Sequence, residues 1–296
     1  MKSANPIRAP RLFVPYTRLR PEEKMLASAA ARLRIPAEFR DVSTLAWPDG
    51  FDAVPGDVAI CRCIGQTHNL ALARLLESRG VKTINPSSVM TLCGDKIATA
   101  ACLDAAGIPQ PAYRVASSPE SAVEAAESLG YPVVFKPACG SWGRLLAKVT
   151  DRLGAEAVAF HKAALGPSHS VFFIQEYVEK NGSDLRAIIV GGEPVTLMRR
   201  KSAHWITNTA RGASPEPCEM PPAMVDLLRK VSDAIGGDFL AVDLFETENG
   251  WTVNEVNGQP EFHGSVEATG VDLPGKVLAY AWNFISSGLD KSGFAR

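Results

Sequence analysis

Residues 239–257 constrain this chain most: two runs of mixed polar and apolar side chains flank Thr247-Glu248-Asn249-Gly250 and read as a β-hairpin. A type I turn closed by a left-handed residue needs glycine in third place, and Glu248-Asn249-Gly250 supplies it. With that three-residue loop Thr247 faces Trp251, and counting back along both strands sets Asp243 opposite Glu255. Asn257, two residues further on, shares the face of Glu255. The hairpin so gathers two carboxylates and an amide oxygen, hard donors of the kind that hold Mg beside phosphate oxygens. A hairpin polar on one face would show the same letters. Like charges directly opposite each other destabilise a sheet unless a cation lies between them, which favours the metal.

The remaining pattern is that of an α/β (α+β) chain. Short apolar runs at 12–14, 57–63 and 81–84 alternate with amphipathic stretches at 21–33 and 69–78, which predicts an open α/β domain. A loop at 85–88 closes it, and 89–106 reads as one helix, stopped by Gly107, Pro109 and Pro111. Ser118 caps a helix over 119–129 with Pro119 in its first turn, and strands are expected at 131–137 and 171–178. Lys180-Asn181-Gly182-Ser183 breaks the latter, and 185–190 and 194–199 form a hairpin about Gly191-Gly192. The spacing marks a first unit closed by the 85–88 loop and a second that follows it.

Charge excludes little by itself, but 31 Lys plus Arg against 32 Asp plus Glu gives no field favouring nucleic acid or an anionic membrane. No window reads as a signal peptide or as a bilayer span, so a cytoplasmic protein is expected. The six cysteines include no C-x-x-C pair and read as buried free thiols; Cys139 stands apart because it adjoins a glycine-rich loop.

Lys136 ends the apolar run 132–135 beside Gly140 and Gly143, a placement suited to phosphate oxygens, although Gly-x-x-Gly alone is a weak signal. Residues 173–178 put polar groups inside an apolar strand, where backbone atoms can meet the edge of a base. Arg199-Arg200-Lys201 and Arg211 flank His204-Trp205; such runs are commonly solvated, yet forked guanidinium donors also suit a carboxylate or a phosphoryl group.

In order along the chain stand Gly94-Asp95-Lys96, Val134-Phe135-Lys136-Pro137, Gly140-Ser141-Trp142-Gly143-Arg144, Gln175-Glu176-Tyr177-Val178, Asn208-Thr209-Ala210-Arg211-Gly212, Asp243 and Asn254-Glu255-Val256-Asn257. With the stretches 18–22, 141–151, 202–212 and 269–275, nearly the whole chain resembles the amino-group carrier protein ligases of lysine and arginine biosynthesis (the LysX/ArgX type), relatives of the RimK-type glutamate ligases. The resemblance implies an ATP-grasp fold, with an N-terminal open α/β domain (1–90), a central lid domain (91–180) and a C-terminal domain (181–296) that binds ATP and Mg. It implies that Lys96 and Lys136 hold phosphates, that Gly140, Ser141, Trp142, Gly143 and Arg144 close over them, and that Gln175, Glu176, Tyr177 and Val178 form the adenine hinge. Asp184 and Asn208 would face the nucleotide. Asp243, Glu255 and Asn257 would hold Mg, and Arg200 and Arg211 would be the catalytic charges.

The same resemblance gives the substrate Arg186, Arg200, Thr209, Glu261, Phe262 and Ser265. The implied reaction turns the C-terminal glutamate of a small acidic carrier protein into an acyl phosphate, which the amino group of 2-aminoadipate or glutamate displaces. Gly258-Gln259-Pro260 departs from the sequences of aminoadipate-specific members and leaves the amino acid open. A homo-oligomer is implied too. Two rival readings stand beside this one: a RimK-type ligase that modifies another protein or peptide, and a nucleotide-binding regulator without turnover. Asp243→Asn is expected to abolish ligation and leave the fold largely intact.

Overall fold

A computed structural model describes residues 8–47, 52–139, 145–207 and 212–291. They form two compact units, residues 1–90 with 272–296, and residues 91–271.

The first unit is built on four parallel strands in the order β2-β1-β3-β4: β1 (Leu12–Tyr16), β2 (Ala37–Asp41), β3 (Val58–Ile60) and β4 (Lys82–Ile84). Leu12, Phe13 and Val14 are wholly buried, as a parallel strand covered on both faces requires. Helix α1 (Pro21–Leu33) starts at its proline, and the Glu23 carboxylate accepts the Arg20 amide at 2.9 Å. Helix α2 (Gln66–Glu77) begins three residues before the expected start. The chain leaves this unit within α3 (Ser87–Gly94). The C-terminal helix, Leu273–Lys291, belongs here and not with residues 181–271: Leu273, Val277, Leu278, Ala281 and Ile285 are buried as it packs on α1, β1 and β3. Nothing local in its sequence marks a return to a distant sheet, which is why the 181–296 division differs here.

The second unit opens with a correction. Residues 89–106 are two helices, because Asp95 breaks the run: its Oδ1 accepts the amides of Ile97 and Ala98 and caps α4 (Lys96–Ala105). Four antiparallel strands follow in the order β5-β8-β6-β7: β5 (Tyr113–Ala116), β6 (Val133–Pro137), β7 (Ala147–Val149) and β8 (Phe172–Glu176). Helices α5 (Pro119–Leu129) and α6 (Arg152–Ala164) cover one face, burying Val123, Ala126, Phe135, Ala159 and Phe172 between them. Ser118 caps α5 as its sequence predicts, reciprocally with Ser121.

A second antiparallel sheet has the order β11-β10-β9-β12-β13: β9 (Ser183–Val190), β10 (Glu193–Lys201), β11 (Ser214–Pro217), β12 (Phe239–Thr247) and β13 (Gly250–Asn257). Helices α7 (Pro222–Ile235) and α8 (His263–Thr269) pack against it. Asp243 does pair with Glu255, but by another route than the turn count. The loop has two residues, with Thr247 opposite Gly250, whose φ of 109° only glycine adopts readily. The missing residue reappears as a bulge at Asn254, between the pairs Leu244–Val253 and Asp243–Glu255. The two differences cancel.

Candidate active site

Within the second unit, a cavity of about 740 Å³, counted with the solvent space at its mouth, is walled by both sheets. The four-stranded sheet β5-β8-β6-β7 contributes Val134, Lys136 and Gln175, and the larger sheet contributes Asp184, Asp243 and Glu255. Lys96 reaches it from the first turn of α4, where the Asp95 cap and a 2.8 Å hydrogen bond from its own amide to Ala138 O fix the backbone. Its ammonium stands 3.4 Å from Glu255 Oε1. Lys136 emerges from the apolar strand β6 and donates to Asn254 Oδ1 at 2.8 Å, so the bulge aims its extra residue at the buried lysine. Burial pushes the Lys136 ammonium down to about 8 against the pull of Glu255, and the nearby cations Lys96 and Lys180 push the same way.

Gln175, Glu176, Tyr177 and Val178 line the same cavity at the end of β8. The amides of Glu176 and Tyr177 donate to Ala112 O and Pro132 O, at 2.9 and 3.1 Å, and the Glu176 carboxylate accepts the Ala112 amide. That carboxylate is thus engaged at the start of β5.

The carboxylates of the larger sheet are held by arginines. Asp243 is nearly buried; Arg186 Nη1 donates to its two oxygens at 2.9 and 3.1 Å, and Arg200 Nη2 lies 3.1 Å from Oδ2. Burial raises its pKa, and the two guanidiniums more than offset that, leaving the carboxyl below its ordinary value. Arg200 is 3% exposed and forks onto Asp184 at 2.7 and 2.8 Å. It therefore sits behind Asp184 and Asp243 and is not among the residues lining the cavity, which differs from a charge standing over a transferring group. Arg186 is likewise turned onto Asp243.

Other expected positions fall elsewhere. Phe262 and Ser265 are fully buried, Phe262 against Phe239 and Ser265 with its hydroxyl towards Met198 Sδ, so both are core residues; the aromatic and the small polar letter gave no sign of it. Glu261 is half-buried, and Asn257 ends β13 opposite Ala241, outside the cavity lining. Gly140, Ser141, Trp142, Gly143, Arg144, Asn208, Thr209 and Arg211 lie outside the described residues. Cys139 is exposed, and burial of its sulfur raises its pKa; Cys61 and Cys63 are buried free thiols.

Lys180 was not expected at all. It lines the cavity, donates to Thr207 Oγ1 at 2.8 Å, stands 3.9 Å from Asp184 Oδ2 and lies over the Phe245 ring. Burial lowers its pKa, in part offset by Asp184. The Thr207 hydroxyl donates in turn to Asp184 in a short hydrogen bond. The turn that brings Lys180 here depends on Gly182: φ is +70°, and a Cβ would stand 2.8 Å from Ser202 O. In the sequence this segment reads only as a strand break, because the contact partner, Thr207, lies 27 residues away.

The donor chemistry fits a divalent cation. Asp243 and Glu255 face each other across β12 and β13 and both reach the cavity, and each carboxylate oxygen keeps lone-pair capacity beyond its present partner. Among the described residues no group of three or more His, Cys, Asp or Glu forms a complete protein cage.

Two antiparallel sheets enclosing one cavity, with one lysine from helix α4, another from strand β6 and carboxylates on the opposing hairpin, define the ATP-grasp class of enzyme. Residues 93–281 match the model of the RimK-like ATP-grasp domain, and residues 12–92 that of the LysX preATP-grasp domain. The glutamate–LysW ligase ArgX of Sulfolobus acidocaldarius is 34% identical over 271 residues, 90% of this chain and 95% of that protein. The alpha-aminoadipate–LysW ligase LysX of Sulfurisphaera tokodaii is 37% identical over 269 residues, 88% and 94% of the two chains. Among solved structures, the RimK domain protein ATP-grasp from Sphaerobacter thermophilus superposes with a TM-score of 0.77 at 27% identity, covering 92% of this chain and 99% of that one. The chain belongs to the RimK-like ATP-grasp family of ATP-dependent carboxylate–amine ligases. No helix among the described residues is long and apolar enough to cross a membrane.

Proposed function

We propose that this protein joins the amino group of glutamate or 2-aminoadipate to the C-terminal glutamate carboxylate of a small acidic amino-group carrier protein, in lysine or arginine biosynthesis. The observation that carries the reading is the facing of Asp243 and Glu255 into a cavity that also receives Lys96 and Lys136, joined to relatives whose names pair these two amino acids with LysW.

In this reading the base lies along residues 175–178, and the ammonium groups of Lys96, Lys136 and Lys180 meet the polyphosphate. Asp243 and Glu255, with Asn257 further along the same strand, would hold Mg, which when bound would supply charge neutralisation at the transferring phosphoryl. The carrier carboxylate attacks the γ-phosphorus, the bond to the bridging oxygen breaks, and ADP leaves. The incoming amine then attacks the acyl carbon, phosphate departs, and the amine's surplus proton is lost. The enzyme's part is positioning and electrostatics. Arg186 and Arg200 hold Asp243 and Asp184 in place, and Arg211 is assigned to the transferring group. The sheet containing β6 acts as the lid over the sheet containing β12. The enzyme works in the cytoplasm and as a homo-oligomer.

The test measures ADP release with Mg-ATP and a carrier protein ending in glutamate, with glutamate or 2-aminoadipate as the amine, and follows the carrier by mass spectrometry. ADP release that depends on the carrier, with a mass gain equal to one of the two amino acids less water, is expected. ADP release without a mass gain on the carrier would transfer the reading to another protein or peptide acceptor. Tight ATP binding without ADP would make it a regulator.

A further inference from the structure

Lys148 has no place in the site as the sequence presents it, yet the sheet sets it beside the cavity, next to residues that line it. Gln175, Val134 and Lys148 stand in register across β8, β6 and β7. Residues directly opposite on neighbouring strands project to the same face. Gln175 and Val134 line the cavity, so Lys148 continues their row one strand further out, where it is exposed at the mouth. There its ammonium lies 3.4 Å from the centroid of the Tyr177 ring.

A cation so close to a ring face is drawn to the ring's negative quadrupole. Tyr177 is the first residue past β8, and its amide is already fixed on Pro132 O, so the freedom left to it is rotation of the side chain. On its other flank the ring meets Trp205 edge-on, with centroids 6.4 Å apart at 65°. Both rings line the cavity. A flat π-system entering the cavity from this side meets two aromatic walls, one of them held by Lys148.

We propose that Lys148 is a positioning residue for the nucleobase: it fixes the Tyr177 ring, which with Trp205 walls the base end of the cavity. This rests on the nucleotide-binding reading above. Because Lys148 acts through the ring, it serves recognition of the base and not of the phosphates.

The experiment compares binding of Mg-ATP and of inorganic tripolyphosphate to the full chain by calorimetry, for the parent and for Lys148→Met, Lys148→Arg, Tyr177→Leu and the Lys148→Met/Tyr177→Leu double variant. Lys148→Met should weaken Mg-ATP by about two- to five-fold, the range for an exposed cation–π contact, raise KM for ATP more than it lowers kcat, and leave tripolyphosphate binding unchanged. Lys148→Arg, which keeps a cation over the ring, should stay near the parent, and the double variant should bind ATP no more weakly than Tyr177→Leu alone. Equal weakening towards tripolyphosphate would overturn the proposal in favour of a direct phosphate contact. So would unaltered ATP binding by Lys148→Met, a Lys148→Arg variant as weak as the methionine variant, or additive losses in the double variant. A parent that binds no Mg-ATP would remove the nucleotide reading itself, which is a separate outcome.

Discussion

Lys136 keeps its ammonium out of water with a neutral amide oxygen, Asn254 Oδ1, as its acceptor. Its folded pKa, near 8, lies below the ordinary lysine value of 10.5. Between those two values the unfolded chain binds a proton that the folded protein does not, so stability rises as pH climbs through this window. Below it the fold carries the full cost of the buried charge, about 3 kcal/mol for a shift of this size. Lys136→Met should therefore melt at the parent's temperature or above it at pH 7, while losing the stabilisation that Mg-ATP gives the parent. Phosphate oxygens favour the charged amine, so ATP binding should take up a proton near pH 8–9 and weaken at higher pH. Calorimetry in two buffers of different ionisation heat reads that uptake directly; heats independent of buffer would contradict it. Asp243 requires a similar revision. From the hairpin alone, Asp243→Asn spares the fold; in the structure it takes from Arg186 its partner charge and leaves Arg200 with Asp184 alone, and breaking a buried pair costs about 3–5 kcal/mol. Glu255→Gln is the cleaner probe of the metal site: its carboxylate is part-exposed beside Lys96, and ligation should collapse with little change in melting temperature.

Between residue and molecule, two short elements set the chemistry. Asp95 ends one helix and caps the next, which places Lys96 on the first turn of α4. Asp95→Ala should cost about 1 kcal/mol of stability, the usual loss of an N-cap, and raise KM for ATP, while Asp95→Asn retains the cap and both properties; denaturant melts and initial rates distinguish the two. The second element is the bulge at Asn254. The opposition of Asp243 to Glu255 was legible in the sequence, although the turn that predicted it is one residue shorter than the count assumed. The bulge was not legible, since nothing in Val253-Asn254-Glu255 marks an extra residue, and with it went the contact to Lys136. Helix α1 and the Ser118 cap were legible because proline and serine act within one turn of their own position. Lys180, Phe262, Ser265 and the pairing of Arg200 with Asp184 were not, because burial and ion pairing are settled by segments distant in the chain.

At the scale of the molecule, the described cavity-lining residues all fall within 91–271, one of the two compact units. A fragment of those residues should fold and bind ATP, read as a cooperative melt that moves up with Mg-ATP. Residues 1–90 alone should not, because β1 and β3 lose the cover of Val277, Leu278, Ala281 and Ile285. Adding 272–296 back to them through a flexible linker should restore a cooperative melt by circular dichroism, and a cooperative melt of 1–90 alone would contradict this division. The divided first unit also bears on synthesis. Translation delivers residues 1–90 before 91–271, but their sheet waits for its covering helix until residues 273–291 are made, so the nucleotide-binding unit can reach its native state on the nascent chain while the segment made before it is still incomplete. Of the two units, the one begun earlier is completed later, and a chain stalled before residue 272 leaves an uncovered β-sheet for chaperones to hold.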